Sequence, residues 1–375
     1  MRTILNSHRA RWAVPVAIVA TAGAIAGGVA LAGESSPELP VKDAGELLTD
    51  VQGAGVEPFS GTVVQTSRLG LPEIPGLTDD TTDMSLLSML TGSNTARIWF
   101  SSAEQFRFSL MGAFDEVTLI RDGTDVWLWS SDTNEAEHLV LPGNLALPGM
   151  GGDGLPHPDP HVAVQELLDE IDPTTEVMVT GTVEVAGRSA YELAVRPRDD
   201  GSLIGEVAVA IDGETSRVLR VGVIADGDTE PAFEIGFTSV SFSEPSDEVY
   251  RFNPPPGADV TDHSLAELIG LVMQLGAAHG PGEDSAGSPE VIGDGWTSVL
   301  MLRDVELPDG VEDDSADSLA LGALIGAGQQ VSGSYGTGRM FTTSLLSALW
   351  LDDGTLLLGA VTPEVLEAAA VEATP

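Results

Sequence analysis

The chain has no cysteine among its 375 residues, which excludes disulfides, thiolate nucleophiles and cysteine-based zinc sites. Positive charge is scarce as well, with 16 lysine and arginine residues against 58 aspartate and glutamate residues and a formal net charge of −42. Lys42 is the sole lysine. A surface of this sign repels nucleic acid and anionic lipid headgroups, so we expect no nucleic-acid partner. The acidity is typical of a highly soluble exported protein.

Catalytic and metal-binding motifs are also missing. The chain has no Gly-x-Ser-x-Gly motif, and GSYGTGR at residues 333–339 lacks the Lys-Ser/Thr of a phosphate-binding loop. His157 and His161 form the one close histidine pair, but the prolines around them make the segment stiff and extended. We therefore expect no enzyme, no cofactor and no metal site. An exported hydrolase stays an alternative if a Ser or Asp is bonded to His138, His161 or His263 in a cleft.

The N-terminus has the pattern of an export signal. Three arginines precede an uncharged run at residues 12–32, which ends in a small-x-small Ala-Leu-Ala. We predict that residues 1–32 are a cleaved signal peptide. The alternative is an uncleaved N-terminal membrane anchor, since about 20 apolar residues can span a bilayer. In both cases the rest of the chain is extracytoplasmic, secreted or tethered.

Residues 95–141 contain five short runs rich in aromatic and β-branched residues, separated by turn residues, which predicts an antiparallel meander. In QFRFSLM the apolar residues alternate with Gln105, Arg107 and Ser109, which predicts one face in contact with water. In DVWLW the two tryptophans oppose a valine and a leucine, so both faces are apolar there. A sheet that is apolar on both faces must be covered on both, or must enclose an apolar cavity on one.

The rest of the chain extends this pattern. Residues 41–52 predict an amphipathic helix, residues 58–68 a strand, and the residues from 175 onward a second meander. The stretch 249–262 is predicted to close the sheet irregularly, because it contains three prolines. We expect one continuous sheet of about ten strands in an α+β, mainly antiparallel β fold.

Four parts follow from these patterns. Residues 1–32 form the signal or anchor, 41–262 the β domain, 263–288 an apolar helix and a linker, and 289–375 a small α+β C-terminal domain. In that last part we predict a strand at GWTSVLML, a helix at LALGALIGAG, a hairpin at residues 338–361 and a final helix.

Four landmarks of the chain resemble the LolA-type lipoprotein-carrier superfamily. They are PFSGTVVQ, ARIWFSSAEQFRFSL, VTLIRDGTDVWLWSS and VYRFNPPPGADVTD, in this order within residues 41–262. The segments VAGRSAYELAVRP and VAIDGETSRVLRV are similar to the RseB/MucB branch, whose members also carry a smaller second domain. The resemblance implies a half-open β-barrel wrapped around helices, with an apolar concave side that holds acyl chains.

The function implied by this resemblance is non-catalytic binding of a lipid or lipoprotein acyl chain in the cell envelope. The alternative is an RseB/MucB-like envelope-stress regulator that binds an anti-sigma factor, or another membrane protein, through its C-terminal domain. The candidate lipid-binding wall consists of Phe59, Ile98, Phe100, Phe106, Phe108, Leu119, Trp127 and Trp129. The candidate lid is the apolar segment that contains Met84, Leu86, Leu87, Met89 and Leu90.

Overall fold

The computed structural model describes residues 39–55, 57–70, 92–112, 114–141, 174–263, 290–303 and 328–373. Within these ranges, no helix has both the length and the apolar character needed to cross a membrane. Several predicted segments lie wholly or almost wholly outside the described residues. They are the signal or anchor at residues 1–32, the lid segment, the pair His157 and His161, the helix and linker at residues 263–288, and the helix at LALGALIGAG.

Helix α1, Ala44–Gly53, begins at a capping box. The carboxylate of Asp43 accepts a hydrogen bond from the backbone N–H of Glu46 at 2.8 Å, and Glu46 accepts from the N–H of Asp43 at 3.2 Å. Leu47 and Val51, one turn apart, are the buried residues of α1. The helix therefore packs through one apolar stripe, as the sequence predicts.

The first sheet has twelve strands. They are β1 Phe59–Ser67, β2 Gly92–Ser102, β3 Gln105–Met111, β4 Glu116–Asp122, β5 Asp125–Ser130, β6 Glu135–Val140, β7 Thr175–Val185, β8 Arg188–Pro197, β9 Ile204–Asp212, β10 Val218–Ala225, β11 Pro231–Ser241 and β12 Asp259–His263. Their order is β12-β6-β5-β4-β3-β2-β1-β11-β10-β9-β8-β7, so the sheet is open, with β12 and β7 at its edges. The antiparallel meander predicted at residues 95–141 is confirmed as β2–β6.

Strand β12 corrects the prediction of an irregular close at residues 249–262. It pairs in parallel with β6 from Asp259 to His263. The three prolines, residues 254–256, end before this strand, so the missing proline N–H groups do not interrupt its ladder. The prolines therefore prevent regular structure at residues 254–256 but not at the residues of β12 that follow.

One face of the first sheet carries the principal core. Leu47 and Val51 of α1 pack there against a cluster on β8, β9 and β10 that includes Leu193, Val209 and Val221. These three are cross-strand neighbours, so they share one face of the sheet. The same face continues through Val63 of β1 into β2–β6.

The second sheet has six antiparallel strands. They are β13 Glu290–Ile292, β14 Val299–Leu302, β15 Gln329–Gly333, β16 Gly336–Thr342, β17 Ser347–Leu351 and β18 Leu356–Gly359, in the order β13-β14-β18-β17-β16-β15. Helix α2, Pro363–Ala373, buries Leu366, Ala369 and Ala370 in the core of this sheet.

The predicted hairpin at residues 338–361 is instead three strands. Thr343 makes the unforeseen turn, since its N–H and hydroxyl both donate to the carbonyl oxygen of Leu346, at 2.8 and 3.1 Å.

The two sheets are joined by buried contacts near β7. The indole Nε1 of Trp296 donates to the hydroxyl of Thr175 at 2.9 Å, and the Trp296 ring belongs to the core cluster of the first sheet. Ser202 forms a bridge with Val361. Main-chain hydrogen bonds on both sides of that bridge extend the connection.

Candidate functional site

Cross-strand pairing collects apolar side chains on one face of β1–β5. Phe59 lies opposite Phe100, Phe100 opposite Phe106, Phe108 opposite Leu119, and Leu119 opposite Leu128. Directly opposed residues share a face, so these side chains form a continuous surface. We call it the apolar face, with the members Phe59, Ile98, Phe100, Phe106, Phe108, Leu110, Val117, Leu119, Val126 and Leu128.

Six of the eight predicted wall residues lie on the apolar face: Phe59, Ile98, Phe100, Phe106, Phe108 and Leu119. They differ in burial. Phe59, Ile98 and Phe106 are 0–3% exposed and already packed by the chain itself. Phe100, Phe108 and Leu119 are partly exposed, as are Leu110, Val117 and Leu128. A ligand can gain contact only with surface that remains exposed, so this second group is the available part of the face.

Trp127 and Trp129, the other two predicted wall residues, lie on the opposite face. Trp127 is paired with Ile120 and Trp129 with Thr118, on the side of the sheet that also carries Trp99. We call this side the tryptophan face. The wall predicted from the sequence is thus divided between two faces, because the list took aromatic residues from both sides of one strand.

Residues 249–252 of the chain contact the tryptophan face. The ring of Phe252 lies 5.3 Å from that of Trp127 and 6.2 Å from that of Trp129. The hydroxyls of Tyr250 and Ser101 are hydrogen-bonded at 2.9 Å. Burial raises the pKa of Tyr250, so this phenol stays neutral around pH 7. The protein's own chain therefore contacts this side, and Trp99, Trp127 and Trp129 are each partly exposed.

The structure contradicts the prediction of a side in contact with water for Ser109 and Arg107, whereas Gln105 is partly exposed. Ser109 is 2% exposed, and its hydroxyl is hydrogen-bonded to that of Thr118 at 2.8 Å. Arg107 lies over the ring of Trp99, with its guanidinium carbon 5.7 Å from the ring centroid. Its guanidinium also donates from Nη1 to the carbonyl oxygen of Val249 at 3.5 Å, a long-range contact that an alternating pattern alone does not reveal.

Two arginines close the end of the sheet near Phe59. The guanidinium carbon of Arg217 lies 4.8 Å from the Phe59 ring centroid and 5.1 Å from that of Phe242, and Arg188 lies 5.1 Å from Phe242. Arg188 also donates to the buried carboxylate of Asp212. Burial raises the pKa of Asp212, but hydrogen bonds from Arg188 and Thr215 outweigh burial and hold that pKa below its usual value. This end of the face is thus sealed by cation–π contacts.

Arg121 is a charged residue at the border of the apolar face. It lies opposite Phe106 and Val126, is 1% exposed, and donates from Nε to the carbonyl oxygen of Gly123 at 3.0 Å. Arg121 lies beside the β4–β5 turn. The partly exposed members of the apolar face on β2–β5 are all uncharged.

The hydrolase alternative requires a catalytic histidine, and His138 is one of the candidates. Its Nδ1 is hydrogen-bonded to Asp262 at 2.9 Å and its Nε2 to Asp125 at 2.8 Å. Both ring nitrogens face carboxylates, so neither is left to activate a serine or a water molecule. His263 is the other described candidate, and its Nε2 lies 3.7 Å from Glu137. Among the described residues, no group of three or more histidine or carboxylate side chains is placed so that it could hold a metal ion.

The candidate lid residues Met84, Leu86, Leu87, Met89 and Leu90 lie outside the described residues, as do His157 and His161 of the HPDPH loop. Their roles remain predictions from the sequence.

No protein-family model and no curated protein sequence matches the chain. Solved structures do align with it. MucB in complex with MucA(peri) is 15% identical over 88% of this chain and 97% of that chain, with a TM-score of 0.40. The MucA/MucB complex of Pseudomonas aeruginosa gives 15% identity over 87% and 96%, with a TM-score of 0.40. The LolA-superfamily protein NE2245 of Nitrosomonas europaea is 8% identical over 56% and 99%, with a TM-score of 0.21. All three TM-scores are below 0.5, so these alignments establish no function. The chain's structural neighbours include MucB and LolA-superfamily proteins, the two groups that its sequence resembles.

Proposed function

We propose that the chain is a non-catalytic cell-envelope protein that binds an acyl chain of a lipid or lipoprotein against the apolar face. One observation carries the proposal. The apolar face keeps a group of adjacent, partly exposed apolar side chains on β2–β5, whereas the tryptophan face also carries the polar side chains of Arg107 and Ser109 and is contacted by Phe252. A contiguous apolar surface of this kind is a binding surface more often than an accident of folding.

Burial of apolar surface would supply the binding free energy. Each methylene removed from water contributes about 0.8 kcal/mol. Phe100, Phe108 and Leu119 lie side by side across three strands and present only carbon to the ligand. The net charge of −42 gives no attraction to an anionic headgroup, so the acyl chain itself provides the affinity.

Lipid content tests this function directly. The protein is purified from its own cells and from a heterologous host, and is then examined by native mass spectrometry and by organic extraction. We expect a co-purifying lipid or, after delipidation, saturable binding of a fluorescent fatty-acid probe. A protein that is always lipid-free and binds no probe contradicts the proposal.

Partner binding through the second sheet is the second candidate function, and edge strand β15 favours it. Edge strands are normally protected from pairing with other chains by charged residues, by bulges or by being very short. Strand β7 has a bulge between Val179 and Gly181, β12 carries two aspartates, and β13 has three residues and begins with Glu290. Strand β15 has five residues, QQVSG, without a charge, a proline or a register shift. Such an edge suits the addition of an extended segment from a partner protein, such as an anti-sigma factor.

The pairing register shows which residue to change. Gly333 lies opposite Gly336 across a two-residue turn, so the main-chain groups of Gln330 and Ser332 point away from β16. Ser332→Pro removes an outward N–H donor, and Ser332→Ala is the matched control. We expect the proline variant alone to lose capture of the extracytoplasmic segment of an anti-sigma factor. Equal capture by both variants contradicts a β15 interface.

A further inference from the structure

Edge strand β12 is tied to the first sheet by one imidazole. His138 of β6 is hydrogen-bonded through Nδ1 to Asp262 of β12 at 2.9 Å and through Nε2 to Asp125 of β5 at 2.8 Å. Its ring stacks on Trp127, with the centroids 4.0 Å apart and the planes at 14°. One side chain thus joins three adjacent strands, and the stack fixes the ring plane so that both nitrogens meet carboxylates.

Among the residues that the structure describes, few other contacts hold β12 in place. All five of its residues are exposed, so the strand contributes no buried side chain to the core. Its other attachments are the parallel main-chain ladder with β6 and the hydrogen bond from the N–H of Asp259 to the carbonyl oxygen of Asn134 at 3.0 Å. His263 Nε2 also lies 3.7 Å from Glu137 Oε2 of β6. An exposed edge strand of five residues is marginally stable, so a single side-chain contact can decide its population.

We propose that His138 is a pH-sensitive latch that holds β12 against β6 when its imidazole is protonated and releases the strand when the imidazole is neutral. The imidazolium has two N–H donors, one for each carboxylate. Neutral imidazole has a single N–H donor. One of Asp125 and Asp262 then faces a ring nitrogen lone pair, and its contact becomes repulsive.

The electrostatics of the site agree with this geometry. Burial lowers the pKa of His138, but hydrogen bonds to Asp262 and Asp125 outweigh burial, and the pKa lies above its ordinary value. The latch therefore stabilises β12 fully below about pH 6.5, the ordinary histidine value, and loses this contribution as the pH rises through the raised pKa. The groups that face the ring are Asp125 from β5, Asp262 from β12 and the uncharged Trp127, which itself contacts Phe252.

The latch acts at the point where the chain leaves the first sheet. His263 is the last residue of β12, and the next described strand, β13, belongs to the second sheet. When His138 holds β12 in place, the segment between the two sheets begins after His263. When β12 is released, that segment begins before Asp259 and is longer. This inference is independent of lipid binding, since His138 lies on the tryptophan face, away from the apolar face.

Hydrogen exchange of the β12 amides tests the latch. Protection of residues 260–263 is measured between pH 5.5 and 8.5 and corrected for the intrinsic exchange rate, in the full chain and in His138→Gln and His263→Gln. We expect protection to fall roughly tenfold at the higher pH, the size of one charge-assisted hydrogen bond, in the unchanged protein and in His263→Gln. In His138→Gln, protection should be low and independent of pH.

Three results would overturn the latch: no pH dependence in the unchanged protein, a dependence that persists in His138→Gln, or one that disappears in His263→Gln. Because His138→Gln can disturb the sheet, nuclear magnetic resonance titration of the imidazole in the unchanged protein and in Asp262→Asn provides a second test. We expect a pKa above the ordinary value that falls in Asp262→Asn. An ordinary or lowered pKa in the unchanged protein, or no change in Asp262→Asn, also contradicts the latch.

Discussion

Replacement of Phe108 by alanine tests whether the apolar face binds the acyl chain. Phe108 lies between Ile98 and Leu119 in the sheet and keeps part of its ring exposed. Full burial of such a side chain is worth about 1.5–3 kcal/mol, so the part still exposed can contribute about 1 kcal/mol to a bound chain. Since 1.4 kcal/mol is a factor of ten, we expect Phe108→Ala to weaken binding by about fivefold.

Leu119→Asp should have a larger effect, because a carboxylate against methylene groups must be desolvated at a cost of several kcal/mol. We expect it to abolish saturable binding. The assay is a fluorescent fatty-acid titration, with chemical unfolding of each variant to confirm that the sheet is intact.

Trp99→Ala is the matched control for Phe108→Ala. Trp99 is a partly buried aromatic residue on the adjacent strand, but it lies opposite Arg107 on the tryptophan face. Its loss should lower stability without changing the dissociation constant of the probe. Equal weakening by Trp99→Ala and Phe108→Ala would refute the choice of face, and unchanged binding in Leu119→Asp would refute the site.

Three further predictions concern stability and are measured by chemical unfolding. Gly61→Ala places a Cβ atom 2.6 Å from a main-chain oxygen and should cost about 1–3 kcal/mol, whereas Gly181→Ala meets nothing within 4 Å. Trp296→Phe removes one of the hydrogen bonds that join the two sheets and should cost about 1–2 kcal/mol. Asp212→Asn should cost about 2 kcal/mol above pH 5; the pKa of Asp212 is lowered, so this difference should vanish as the pH falls through that pKa.

For each of these three predictions, one result would contradict it. Equal losses in the two glycine variants would show that space at residue 61 is not limiting. An unchanged free energy of unfolding in Trp296→Phe would show that the joint between the sheets is not stabilised by its indole. A difference between Asp212→Asn and the unchanged protein that does not decrease as the pH is lowered would place the effect outside the Asp212 titration.

The strands of the first sheet were predictable because their signals are local. Alternating aromatic and β-branched runs with Asp-Gly and Asp-Thr-Asn turns define β2–β6 without any distant contact. The same local rule missed the turn at Thr343, since a side-chain hydroxyl rather than glycine or proline makes it.

The division of the candidate wall was less predictable. Alternation shows that Trp127 and Leu128 point to opposite sides, but it does not say which side the rest of the chain covers. Phe252 decides this, and it lies 125 residues after Trp127 in the sequence. Likewise, the His138–Asp262 contact spans 124 residues and depends on a parallel strand that follows three prolines. Such non-local pairs leave no periodic signal in one sequence.

Lipid analysis of the purified protein tests the central claim most directly. The account predicts that delipidated protein binds a fluorescent fatty-acid probe saturably, that a long-chain lipid displaces the probe, and that Leu119→Asp does not bind it. A correctly folded protein that carries no lipid after purification and gives no saturable probe signal would contradict the account.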